Sequence, residues 1–153
     1  MTKRVLVTGH NGYLGSVMTP ALVEAGWDIA GLDTYYFGDC TLTPDGAAVA
    51  EIDKDICEFA ASDLAGFDAV VHLAALSNDP IGNMDAGWTQ SINENVSVRF
   101  APLAKDAGVS RFLFSSSCIM YGMSEAEVVD ETAPLDPKTE YARSKVAAER
   151  GIA

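Results

Sequence analysis

The segment Thr8-Gly9-His10-Asn11-Gly12-Tyr13-Leu14-Gly15 sits between the apolar run Val5-Leu6-Val7 and a stretch with helical spacing. A buried strand feeding a helix through a glycine-rich turn constrains the fold more than any other feature here. Glycine permits the tight turn and lets a pyrophosphate approach the backbone, and the third glycine allows helix and strand to pack closely. The helix N-terminus then offers unpaired N–H groups and partial positive charge to the phosphates. Leu14, Val17, Met18, Ala21, Leu22 and Ala25 follow helical spacing, with Gly26 as the stop. Pro20 lies inside that helix, where it removes one hydrogen bond.

The pattern then repeats. Asp28–Asp33 reads as a second strand, Val49–Asp53 as a weak third, Ala69–Leu73 as a fourth and Arg111–Ser115 as a fifth. Thr34–Gly46 reads as a loop, and Asp55–Leu64 as a short helix. A long helix carries Trp88, Ile92, Val96, Phe100 and Leu103, with Pro102 inside it and Gly108 beyond its end. Ser116–Lys138 is loop-rich, and a last helix starts near Thr139. Strands alternating with helices predict βαβ units and a parallel sheet. Right-handed crossovers make this an α/β, Rossmann-type doubly wound layer of about five strands. The 153 residues are expected to form one domain, 1–153.

Composition narrows the partners. Ten basic against 22 acidic residues leave a net charge of −12, which argues against a nucleic-acid or anionic-membrane partner. A bound anion must therefore be held by backbone dipoles. Cys40, Cys57 and Cys118 lie far apart with no C-x-x-C, a pattern of neither a disulfide framework nor a zinc site. No apolar run reaches the roughly 7–15 residues of a signal peptide or the roughly 20 of a membrane span. The expected location is the cytoplasm.

Asp33 closes the second strand, where a carboxylate accepts hydrogen bonds from adenosine ribose hydroxyls and repels a 2′-phosphate. Thr34-Tyr35-Tyr36 supplies no cation for such a phosphate, so the expected cofactor is NAD rather than NADP. Further on, Tyr141 and Lys145 stand four apart and share a helix face. An ammonium near a phenol favours phenolate and makes Tyr141 an acid/base near neutral pH. Ser117, at the end of the fifth strand, supplies a hydroxyl to position a substrate oxygen. A Tyr–Lys pair alone occurs on many exposed helices; the serine-rich strand end and the upstream nucleotide signal give this one weight.

Together these residues resemble the extended short-chain dehydrogenase/reductases, specifically the NAD-dependent epimerase/dehydratase group acting on nucleotide sugars. The resemblance runs along nearly the whole chain. Gly9, Asn11, Gly12, Tyr13, Leu14 and Gly15 match its dinucleotide turn, and Asp33 its ribose acid. Asp55-Ile56 resembles the pair lying against adenine, and Leu73-Ala74-Ala75 after His72 the loop beside the cofactor. Asn95-Val96 resembles its Asn-Val on the long helix. Ser115-Ser116-Ser117 with Tyr121-Gly122 resembles the catalytic-serine segment, and Tyr141 with Lys145 the catalytic pair. The resemblance implies catalysis by Ser117, Tyr141 and Lys145, the last two also touching cofactor. It implies transient oxidation of a sugar hydroxyl, hydride passing to the nicotinamide and back to the other face. The implied partner is a nucleotide sugar such as a UDP-sugar.

Departures shape the expectation. Cys118-Ile119-Met120 stands where the 4,6-dehydratase branch carries acids, which argues against dehydration. Glu140 precedes Tyr141, where it either opposes phenolate formation from inside or faces solvent. Family members run about twice this length, so the C-terminal substrate domain is expected to be missing. Uncovered apolar faces and a bare sheet edge then predict a homo-oligomer, through the Trp88–Leu103 and Tyr141–Ala153 helices.

Elsewhere the plainer readings prevail. His10 and His72 form no metal constellation, and His72 packs at a strand end; Cys118 has no evident cation to stabilise a thiolate, and Asp53 and Asp55 are solvated loop acids rather than a metal pair. Trp88 and Phe100 read as helix core, and Glu125–Glu131 as a solvated loop. Ser77-Asn78-Asp79-Pro80 is a candidate substrate contact. Alternatives to an epimerase are a dehydrogenase releasing its ketone and a nucleotide-binding module without turnover. Hydrolysis by Ser117 lacks both Gly-x-Ser-x-Gly and a histidine partner.

Overall fold

A computed structural model describes residues 3–36, 38, 49–77, 79–82, 84–123 and 128–153. Cys40, Asn78, most of the 34–46 loop and part of the 125–131 acidic run lie outside the described residues. The strands are β1 (Arg4–Thr8), β2 (Asp28–Asp33), β3 (Ala50–Asp53), β4 (Ala69–His72) and β5 (Arg111–Phe114). The helices are α1 (Gly15–Glu24), α2 (Asp79–Gly82), α3 (Ala86–Thr89), α4 (Val96–Asp106) and α5 (Glu140–Ile152). All pairings are parallel, in the order β3-β2-β1-β4-β5. This is the expected Rossmann-like α/β sheet. The order reverses between β1 and β4, and ligands of such sheets bind beyond the strand ends at that switch point. Among the described residues no helix is long and apolar enough to cross a membrane.

The chain divides into two compact units. The first comprises Met1–Ala75 and Arg99–Ser115 and holds the sheet; the second comprises Leu76–Val98 and Ser116–Ala153. In the first unit, Val5, Val7 and Ile29 form one apolar layer, with Leu22 and Val23 of α1 packed against it. Leu6, Val70, Phe59, Leu64 and Phe100 are buried as well. Phe100 stacks on Phe59 at 4.1 Å and meets Phe112 edge-on at 5.2 Å.

Four elements differ from expectation. The apolar spacing of α1 does not mark its inner face: Leu14 and Val17 are exposed, and Gly15, Ser16 and Thr19 are buried. A Cβ on Gly15 would stand 2.2 Å from the Gly9 carbonyl oxygen, so only small residues fit where α1 meets the turn. Gly26 does end α1, with Gly26 N–H bonded to Val23 and Trp27 N–H to Leu22, the reciprocal pattern of an αL stop.

The 55–64 segment is two 3₁₀ turns, Ile56–Glu58 and Ala61–Leu64. Asp55 caps the first by accepting from Cys57 N–H at 2.7 Å. Asp63 draws in Ala60 N–H and the Lys54 ammonium, which holds the second turn separately.

The long helix is widened within its length: Asp85 caps α3, and residues Gln90–Asn95 form a π turn before α4. Trp88 is 60% exposed rather than core, whereas Phe100 is buried. Finally, β5 stops at Phe114, although Ser115 N–H still reaches the His72 carbonyl at 3.2 Å.

Candidate active site

The first unit carries the nucleotide features. Gly9 has φ +73°, and a Cβ there would lie 2.8 Å from Ala74 N, so this position admits glycine only. Gly12 N–H closes onto the Gly9 carbonyl at 3.1 Å, and Ser16 N–H onto Gly12 at 2.9 Å. A Cβ on Gly12 would meet nothing but the Gly9 oxygen, at 3.3 Å. The space over Gly12 is therefore open, whereas the space over Gly15 is filled by the turn itself. That division matches a cradle for a diphosphate above a tightly seated helix start. Tyr13 and Leu14 are exposed on its rim.

Asp33 is wired to this turn. Its Oδ2 accepts from Asn11 N–H at 2.9 Å, and its Oδ1 from Thr34 N–H at 2.8 Å and Tyr35 N–H at 3.4 Å. A carboxylate offers about four acceptor positions, so capacity is left for a ribose hydroxyl. The loop after β4 is fixed as firmly. Leu73 N–H reaches the Thr8 carbonyl at 3.1 Å and Ala74 N–H the Thr8 hydroxyl at 3.3 Å. That hydroxyl also contacts His72 Nδ1 at 2.7 Å. His72 is thus a buried strand-end residue, ringed by Phe100, Phe112 and Phe114. Ala75 is half-buried beside this loop. Ile56 is buried, and Asp55 accepts from the Tyr36 hydroxyl at 3.3 Å besides capping its turn. These residues fit a dinucleotide: backbone amides for phosphate, an anchored acid for ribose and, among the described residues, no cation paired with that acid to welcome a 2′-phosphate.

The second unit carries the proton-handling features. Thr139 caps α5 by accepting from Ala142 N–H at 3.1 Å. Tyr141 is half-buried, and the Lys145 ammonium lies 5.7 Å from its ring centroid. Lys145 is only 3% exposed, and burial pushes its ammonium down to about 8, Glu149 pulling the other way. Below about pH 8 the group keeps its proton, so a positive charge stands beside the phenol. Glu140 turns to Arg143, whose hydrogen bond holds its carboxyl below the ordinary range. The second of the two expectations for Glu140, that it faces away, matches this pairing.

Ser117 begins the turn Cys118–Tyr121, its Oγ accepting from Ile119 N–H at 3.4 Å. The Ser116 hydroxyl is buried with no hydrogen-bond partner among the described residues. Gly122 holds this turn at φ +61°, with Asp136 N–H bonded to the Met120 carbonyl at 2.9 Å. Cys118 is exposed and Met120 buried; neither supplies a carboxyl beside Ser117.

Asn95 is exposed at the end of the π turn. The buried asparagine is Asn93, which sequence reasoning passed over. Its Oδ1 accepts from Leu76 N–H at 2.8 Å, and its Nδ2 donates to the Leu76 carbonyl at 3.0 Å and to Ser144 Oγ at 3.2 Å. Among the described residues no cluster of His, Cys, Asp or Glu is arranged to hold a metal ion.

The parallel sheet of the first unit, with its open glycine turn after β1 and an anchored acid at the end of β2, defines a Rossmann-like α/β fold of the dinucleotide-binding class. The profile of the NAD dependent epimerase/dehydratase family matches residues 5–153, and the chain belongs to that family. It is 32% identical to a UDP-glucose 4-epimerase of Streptomyces lividans over 157 aligned residues, covering 99% of this chain and 47% of that protein. It is 31% identical to a dTDP-D-glucose 4,6-dehydratase of Mus musculus, covering 96% and 44%. A UDP-glucose-4-epimerase from Stenotrophomonas maltophila, solved with NAD and formylated UDP-arabinopyranose, superposes with a TM-score of 0.86 at 29% identity, covering 97% of this chain and 47% of that one. The chain thus spans about half the length of the curated relatives it matches.

Proposed function

We propose that this chain binds NAD and serves a nucleotide-sugar 4-epimerase reaction. The observation that carries the proposal is the Tyr141–Lys145 pair, with a buried ammonium pushed down to about 8 on the same helix face as a half-buried phenol. The relatives named as UDP-glucose 4-epimerases support the substrate class.

NAD, when bound, would supply a reversible hydride acceptor for the sugar carbon. Gly9, Gly12 and Gly15 shape the turn that holds its diphosphate, and Asp33 accepts from its ribose. Asn11 orients that acid, while Leu73, Ala74 and Ala75 line the neighbouring loop. The remaining work falls to side chains. Tyr141, as phenolate, removes the proton of the sugar hydroxyl while its carbon loses hydride. Ser117 donates a hydrogen bond to the same oxygen and keeps it oriented. The Lys145 ammonium stabilises the phenolate and holds ribose hydroxyls. When hydride returns to the opposite face, Tyr141 gives the proton back and the hydroxyl is restored inverted. Cys118 and Ile119 offer no acid to expel a second hydroxyl, which favours epimerisation over dehydration.

A second reading rests on the coverage of about half of each relative. In it the chain binds NAD without turnover, and sugar chemistry requires residues outside it. The two readings separate by experiment. Calorimetric titration of the purified chain with NAD tests cofactor binding. Interconversion of UDP-glucose and UDP-galactose, with Tyr141→Phe as control, tests catalysis. Binding with no turnover selects the second reading, and turnover insensitive to Tyr141→Phe overturns the mechanism. The expected homo-oligomer belongs to the same proposal, with exposed Trp88 on one interface helix; sedimentation showing a monomer at micromolar concentration would remove it.

A further inference from the structure

His10 occupies the turn between Gly9 and Asn11, yet its side chain is buried, at 7% exposure. It lies against β2 where Gly31 has no side chain: a Cβ there would stand 2.2 Å from the His10 ring. His10 Nε2 contacts the Tyr35 hydroxyl at 3.1 Å, and the two rings meet edge-on at 5.6 Å. The Glu51 carboxylate on β3 acts on the same phenol, by charge and by hydrogen bonding, adding to what burial does. His10 Nδ1 is buried without a partner among the described residues.

Tyr35 sits at φ +51°, the left-handed region that a bulky residue rarely adopts. Its N–H reaches Asp33 Oδ1 at 3.4 Å. The His10 contact on its hydroxyl helps to hold it there. The carboxylates of Glu51, Asp33 and Asp53 all bear on the same phenol by charge. One side chain thus links the phosphate turn, the ribose acid and the edge strand.

We propose that His10, Tyr35 and Glu51 form a relay that positions Asp33 for the adenosine ribose and sharpens selection against a 2′-phosphate. The inference rests on the NAD-binding reading above. His10 and Tyr35 act through Asp33 and are positioning residues; Glu51 adds negative charge at the corner where a 2′-phosphate would enter. The lysine-free loop after Asp33 explains why NADP is not welcomed. The relay holds Tyr35, whose N–H is one of three amide donors on Asp33.

The test uses the purified chain and calorimetric affinities for NAD, NADP, ADP-ribose and nicotinamide mononucleotide. Tyr35→Phe keeps the ring and removes the hydroxyl. It is expected to weaken NAD and ADP-ribose alike by about tenfold, the scale of one lost hydrogen bond, and to leave the mononucleotide unchanged. His10→Gln, which keeps a hydrogen-bonding group at the Nε2 position, retains wild-type affinity, whereas His10→Leu behaves as Tyr35→Phe does. Glu51→Gln, at an exposed site that leaves folding intact, narrows the preference for NAD over NADP by about tenfold. Unchanged ADP-ribose affinity in Tyr35→Phe, or an equal loss on the mononucleotide, overturns the relay while the cofactor reading stands. Wild-type chain that binds no NAD overturns both.

Discussion

Asn93 Nδ2 donates to Ser144 Oγ at 3.2 Å, and Ser144 Oγ in turn donates to the Tyr141 carbonyl at 2.8 Å. The same asparagine holds both backbone groups of Leu76. Ser144 lies between the two residues on which the proposed chemistry depends, so one buried amide fixes the first turn of α5. Replacing Asn93 with Ala leaves buried donors and acceptors unsatisfied. The expected cost is about 2–4 kcal/mol in urea denaturation. Asn95→Ala, at an exposed position, is expected to change stability by less than about 0.5 kcal/mol. Equal costs at the two positions would contradict the burial difference.

Asn93 also shows where sequence reasoning stopped. β2 was legible to the residue, Asp28–Asp33, because a turn glycine precedes it and an acid ends it. The places of the glycine turn before α1, of Asp33 at the end of β2, of Ser117 after β5 and of Tyr141 and Lys145 on α5 were legible because each couples a residue type to a strand end or a helix face; their roles are proposals. The inner face of α1 was not, since hydrophobic periodicity assumes that large residues face inward. Close approach at Gly15 reverses that assumption. The π turn was hidden for a related reason. Trp88, Ile92, Val96 and Phe100 repeat every four residues, wider than the 3.6 of an α-helix, and that excess was the one trace of a widened turn. Sequence reading showed of His10 only that it makes no metal constellation with His72, because its contact with Tyr35 depends on how the turn folds against β2.

Two of the turn glycines, Gly12 and Gly15, should separate by function. Gly15→Ala drives a Cβ to 2.2 Å from the Gly9 oxygen and 2.5 Å from His10, both backbone contacts. Relief requires moving α1, so the expected loss of stability exceeds about 2 kcal/mol. Gly12→Ala meets only one atom, at 3.3 Å, and is expected to fold within about 1 kcal/mol of wild type while losing NAD affinity. Thermal melting and NAD titration of both variants check this; a Gly12→Ala chain that binds NAD normally would remove the phosphate cradle from Gly12.

Gly122 is expected to be as intolerant as Gly15. It sits at φ +61°, and a Cβ would stand 2.4 Å from the Asp136 carbonyl oxygen. Gly122→Ala should cost more than about 2 kcal/mol and displace the turn that Ser117 begins. Urea denaturation measures the first effect. Loss of the Ser117 turn reads out as faster amide exchange at Ile119, whose N–H bonds to Ser117 Oγ.

Lys145 sets function against stability. Burial lowers its ammonium from 10.5 to about 8, so between those values the unfolded chain binds a proton that the folded chain has released. Stability therefore rises with pH across that window, and below about 8 the penalty is present in full. The penalty is at most about 3 kcal/mol, the upper bound set by the size of the displacement. Tyrosines and cysteines titrate in the same range, so the contribution is isolated by subtraction. Lys145→Met, which keeps the length of the side chain and drops the charge, is expected to match or exceed wild-type stability at pH 7. That advantage should shrink steadily as pH climbs from 8 towards 10.5. The same variant should lose proton transfer by at least about a hundredfold in the epimerase assay. Denaturation of both chains at half-unit pH steps decides it: a stability difference flat across the window would mean that the Lys145 ammonium is not desolvated by folding, and the activation of Tyr141 would need another source.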